Sequence, residues 1–188
     1  MDPVEFLSKF TLGGAESWKA RPFLLRAGRV SWSVASSGYM LVALRQSVVK
    51  PFAEAPIEKL VRYLLTPPGP GVEIEVAALR AWAGDPPSGM VPPEEVLEDR
   101  VGVLLGRVID LRKLAWLLQH LEGVSKLYVW DTSETFDVWS LSFEWDQGRG
   151  RAIIAGVNWE PEPTDLVFEV EKTVEEDAYD LVMSLVDE

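Results

Sequence analysis

Between Ala20 and Gln46 the chain reads ARPFLLRAGRVSWSVASSGYMLVALRQ, and this stretch narrows the possible folds more than any other. Trp32 and Val34 alternate with Ser31 and Ser33, the two-residue period of a strand with one buried face. Strands are expected over residues 23–27, 29–35 and 39–48, with a tight turn at Ser37-Gly38. Short strands joined by tight turns run antiparallel. A sheet face needs cover, and Pro56 opens a helix that can supply it. Ile57, Leu60, Val61, Leu64 and Leu65 form one apolar stripe, with Glu58, Lys59 and Arg62 on the other face. Thr66-Pro67-Pro68-Gly69-Pro70 ends it.

The remaining elements follow from the same signals. Asp2-Pro3 is an N-cap carboxylate with proline at the first helical position; Val4, Leu7, Phe6 and Phe10 face inward until Gly13-Gly14. Residues 71–79 read as a strand, with Val72, Ile74 and Val76 alternating with Glu73 and Glu75. Residues 84–93, rich in Gly and Pro, form a linker or long loop, and residues 94–99 a short helical turn. The clearest helix has Asp110 as N-cap, Leu111, Leu114, Leu117, Leu118 and Leu121 on one face, and Gly123 at its end. Strands are expected at 127–130, 136–145, 151–159 and 166–170, with a hairpin loop at 146–150. On the long strand, Trp139, Leu141, Phe143 and Trp145 share the apolar face. A last helix over 174–186 carries Ala178, Leu181, Val182 and Leu185 as its stripe and acids in its first turns, where the helix dipole favours them. The chain divides between about 85 and 105, into residues 1–90 and 91–188. The expected fold class is α+β: antiparallel sheets with amphipathic helices on one side, in two similar halves.

The net charge of −12 is unevenly placed. Residues 160–188 hold eleven acids against Lys172 alone, a charge of −10, leaving −2 on the other 159 residues. The acids Glu175, Glu176, Asp177 and Asp180 are the candidate contacts for a basic partner, unless that helix simply packs its apolar stripe on the sheet. No apolar run reaches the ~20 residues that span a bilayer. MDPVEFLSKF lacks the basic-then-apolar pattern of a secretory signal, so a cytoplasmic protein without membrane association is expected. The absence of cysteine excludes disulfides, thiolate zinc sites and a cysteine nucleophile.

Catalytic chemistry finds little support. His120 is the only histidine, and no G-x-S-x-G elbow is present. The carboxylate pairs Glu73/Glu75 and Glu94/Glu95 read as solvated faces more readily than as metal sites. Gly148-Arg149-Gly150 lacks the context of a phosphate cradle and reads as a hairpin. No enzyme activity, cofactor or metal is expected.

Taken in order, the Arg21-Pro22 pair opening a strand, the Ser37-Gly38-Tyr39 turn and the PIEKLVRYLL helix resemble the middle of a bacterial DNA sliding-clamp domain. Val108-Ile109-Asp110 leading into LRKLAWLLQHL is similar to a second clamp signature. The chain departs from the family at Ser37, where clamps carry Asp, and at Met40, where they carry Arg. It is also about half the length of a bacterial clamp, which has three domains. The resemblance implies a non-enzymatic replication or repair accessory that self-associates edge to edge. It also implies that helix faces meet duplex DNA without reading sequence, through Lys59, Arg62, Arg112, Lys113 and His120. The alternatives are ordinary solvated helix faces, and a small acidic regulator, of a kind phages encode, that binds a protein and not DNA.

Overall fold

The structure, a computed structural model, describes residues 2–12, 19–27, 29–46, 64, 67–132, 140–157 and 166–169. The expected Pro56 helix (apart from Leu64), the expected C-terminal helix, and with them Lys59, Arg62, Glu175, Glu176, Asp177 and Asp180, lie outside these residues.

Helix α1 (Pro3–Ser8) starts where the sequence places it. The Asp2 carboxylate accepts from the backbone N–H groups of Val4 and Glu5, at 2.7 and 3.3 Å, and Pro3 follows the cap. Strands β1 (Phe23–Ala27), β2 (Val30–Ser36) and β3 (Met40–Leu44) then form an antiparallel meander, registered Leu25 to Trp32 and Val34 to Ala43. Gly38 closes the β2–β3 turn with φ of 96°, a conformation open to glycine and strained for other residues. β3 is shorter than the alternation implies, because the chain bends at Arg45 and Gln46.

The alternation of residues 71–79 also breaks early. β4 (Gly71–Glu75) gives way to α2 (Val76–Ala83), not to more strand. From Val76 the buried residues are Val76, Leu79 and Ala83, a helical spacing, and the intervening alanines favour helix over strand. A 3-10 turn at Glu98–Arg100 stands slightly later than the helical turn expected at 94–99. It leads into β5 (Val101–Leu104), a segment to which sequence reasoning assigned no element, and β6 (Arg107–Asp110). Leu105 and Gly106 both have positive φ and make the turn between them. Helix α3 (Leu111–His120) follows directly.

β7 (Lys126–Asp131), β8 (Ser140–Trp145) and β9 (Gly150–Ala155) form a second antiparallel meander. β9 ends before residue 159; beyond it the N–H of Val157 donates to Val108 at 2.9 Å, joining this segment to β6. β10 (Leu166–Val167) is two residues long and pairs with β5 in parallel.

Among the described residues, seven strands form one wholly antiparallel sheet in the order β1-β2-β3-β9-β8-β7-β4, and β10-β5-β6 form a smaller one. The two meanders join at their last strands, β3 and β9, with Val42 opposite Ala152. Strands from both sides of residue 90 therefore share one sheet. On one face α1, α2 and α3 bury Phe6, Leu7, Phe10, Leu79, Leu114 and Leu117 against Val42, Leu141, Phe143 and Ile154. A smaller cluster gathers Phe23, Leu25, Trp32, Val34, Leu41, Ala43, Ile153 and Leu64. Next to it, the guanidinium of buried Arg151 lies 5.9 Å from the Trp32 ring and 5.2 Å from the Trp130 ring and pairs with Glu144 at 2.7 Å. Burying that charge is tolerable because the carboxylate and the Leu64 carbonyl both accept from it.

Candidate nucleic-acid interface

The helical layer is where sequence reasoning put the DNA-facing bases. Asp110 caps α3 by accepting from the N–H of Arg112 at 2.8 Å. Its second carboxylate oxygen lies 3.5 Å from the Lys113 ammonium, and both side chains are almost wholly buried. Lys113 also stands 4.9 Å from the centre of the Tyr39 ring. Lys113 is only 2% exposed, so the expected polar face of α3 does not exist at that position. Burial on α3 extends beyond the leucine stripe: Lys113 is held between the Asp110 carboxylate and the Tyr39 ring, and Ala115 and Trp116 are buried as well. Arg112 is half-buried, and its guanidinium donates to the Glu95 carbonyl at 3.4 Å.

His120 lies at the opposite end of α3, half-buried between rings. Its imidazole meets Phe10 edge-on at 5.7 Å and Trp116 at 5.0 Å. Burial pushes the imidazole below its usual range, the charge of Lys9 adds to the effect, and Glu122 opposes it. Nε2 has no hydrogen-bond partner among the described residues. It borders a hollow of about 190 Å³ lined by Glu5, Phe6, Lys9, His120 and Glu122. A neighbouring hollow of about 200 Å³ reaches Gln46, Trp145 and Asp146. Arg112 and His120 thus stand at opposite ends of one helix, and the structure does not bring the three described candidates together.

Two residues that shape this layer were missed. Arg80 of α2 donates to the carbonyls of Leu118, at 2.7 Å, and Leu121, at 3.1 Å, completing the C-terminal end of α3. Lys9 supplies the positive charge beside His120. The first was hidden because the start of its helix reads as strand; the second is a lone lysine with no spacing signal.

Among the described residues there is no cluster of three or more His, Asp or Glu side chains able to hold a metal ion, and no helix long and apolar enough to cross a membrane. No protein-family model matches the chain, and no curated protein or solved structure matches it.

Proposed function

We propose that the chain is a non-enzymatic, sliding-clamp-like accessory of DNA replication or repair, built from two similar halves, that contacts duplex DNA without reading its sequence. The observation that carries this reading is the order of elements: helix α1 precedes meander β1-β2-β3, helix α3 precedes meander β7-β8-β9, and the two meanders pair through β3 and β9. Both helices pack in the same core cluster on one face of the sheet, the layout in which clamp domains turn helices toward DNA. The outer strands of the described sheet, β1 and β4, are the edges through which copies would associate. Arg112 and His120 are the helix residues retained as DNA contacts, with Lys59 and Arg62 retained on their spacing in the sequence. Lys113 is reassigned to structure.

The test is fluorescence anisotropy with two short labelled duplexes of unrelated sequence across a salt series. Equal affinities that fall log-linearly with salt are expected. No binding to either duplex at low salt refutes the reading.

A second reading, a regulator that binds another protein, is favoured by the exposed apolar side chains of Met90, Val91, Val96 and Leu97. Met90 is 93% exposed.

A further inference from the structure

One end of the seven-stranded sheet gathers arginines. Arg26 stands near the end of β1, opposite Ser31; Arg29 lies in the β1–β2 connection; Arg45 follows β3; Arg149 closes the β8–β9 hairpin. The N–H of Arg45 donates to the Arg149 carbonyl at 2.7 Å, and Ser33 Oγ donates to the Gln46 carbonyl at 2.7 Å. These hydrogen bonds hold the loops after β3 and β8 to each other and to β2. Strands β1, β2, β3 and β9 are consecutive neighbours, so the four side chains spread over three inter-strand steps, roughly 15 Å.

All four are exposed, and among the described residues none forms an ion pair or a side-chain hydrogen bond. Other cations of the molecule are engaged: Arg80 on α3, Arg107 with Asp131, Lys126 with Glu73, Arg151 with Glu144. Asp146 is the one carboxylate on the described parts of these loops; their other exposed polar side chains include Gln46 and Gln147. On a protein of net charge −12, four exposed arginines with one carboxylate among the described residues of their loops are a specific local feature.

Such a row fits a polyanion, whose condensed counterions are released on contact. Phosphate fits better than an acidic polypeptide surface. Guanidinium forks match phosphate oxygens, and a protein interface needs apolar anchors at its centre. Among the described residues, none of the large exposed hydrophobic side chains lies on these loops.

We infer that Arg26, Arg29, Arg45 and Arg149 form a phosphate-contacting surface for duplex DNA, separate from the helix residues. This rests on the reading that the chain meets DNA. It gives the molecule a grip on the backbone that does not depend on the largely covered α3.

The experiment compares the full chain with a variant carrying Arg26→Ala, Arg29→Ala, Arg45→Ala and Arg149→Ala, and with a second carrying Lys at all four. The probes are a labelled duplex and a labelled poly-glutamate peptide, each across a salt series. Thermal melting by circular dichroism checks the fold. Should the Ala variant not melt cooperatively, Arg45→Ala and Arg149→Ala singly give the same readout in smaller steps. The Ala variant is expected to bind the duplex roughly tenfold or more weakly at low salt, with a salt slope reduced by about 0.9 for each phosphate no longer neutralised. The Lys variant is expected to retain most of the binding. Unchanged affinity and slope in the Ala variant overturn the row while leaving DNA binding by the wild type intact. A wild type that ignores the duplex, whether or not it takes the peptide, overturns the row and the functional reading together.

Discussion

The indole N–H of Trp116 donates to the backbone carbonyl of Lys9 at 2.9 Å, fixing the middle of α3 to the end of α1 across a gap of 107 residues in sequence. The Phe10 and His120 rings fill the space beside it, and Phe6 continues the row to Trp145 of β8. Helices α1 and α3 are thus joined by a partly buried hydrogen bond and a chain of edge-on rings.

Replacing Trp116 by Phe keeps a ring and deletes the donor. A hydrogen bond of this kind contributes ~1 kcal/mol, and the smaller ring adds a cavity term. The expected loss is about 2 kcal/mol, read as a lower urea midpoint at constant m-value. An unchanged midpoint would show that this hydrogen bond does not tie the helices.

Asp110 holds α3 in two ways, as its cap and as the counter-charge of Lys113. Asp110→Ala removes a cap worth ~1 kcal/mol and leaves an ammonium buried without its carboxylate, so a total cost of roughly 3–5 kcal/mol is expected. Adding Lys113→Met removes the orphaned charge and should restore a large part of that loss. A double variant no more stable than Asp110→Ala alone contradicts the pairing.

His120 makes stability depend on pH in a definite direction. Burial lowers its folded pKa below the ordinary value of 6.5, so the unfolded chain binds the proton more readily. Its contribution is fully present above pH 6.5 and is lost as pH falls from there through the lowered folded value. Glu5, Lys9 and Glu122 line the same hollow. Urea unfolding from about pH 7.5 to about pH 5.5 should show a decline that is reduced in His120→Gln. Identical pH profiles for the two proteins would remove His120 as the cause.

Gly150 is required by contact. A Cβ there would overlap the Trp145 indole, which packs against this glycine across the β8–β9 hairpin. Gly150→Ala is expected to cost about 1–3 kcal/mol by overpacking, whereas Ala at Gly106, which has positive φ and open space, costs only the backbone term. Denaturant midpoints of the two variants compare them directly.

Much of this fold could be read from the chain. The Asp2 and Asp110 caps, the leucine stripe of α3 and the alternation of Trp32 and Val34 are local signals, and local hydrogen bonding and periodicity decide them. Tertiary context decided the rest. The alternation of residues 72–76 runs into a helix because Val76, Leu79 and Ala83 meet α3, and no short window reveals that partner. β5 was invisible because Val101 to Leu104 is a four-residue apolar run with no period. The candidate site was the least legible part. Helical spacing puts Lys113 on a polar face, yet its side chain is buried between Asp110 and the Tyr39 ring. The arginine row comes from four loops and strand ends that only the sheet order brings together.

The most direct test of the clamp-like account is the molar mass in solution by light scattering, at micromolar concentration and moderate salt. The account predicts a defined trimer or larger closed oligomer of the 21.0 kDa chain, held through its edge strands. A single species at 21.0 kDa would contradict it.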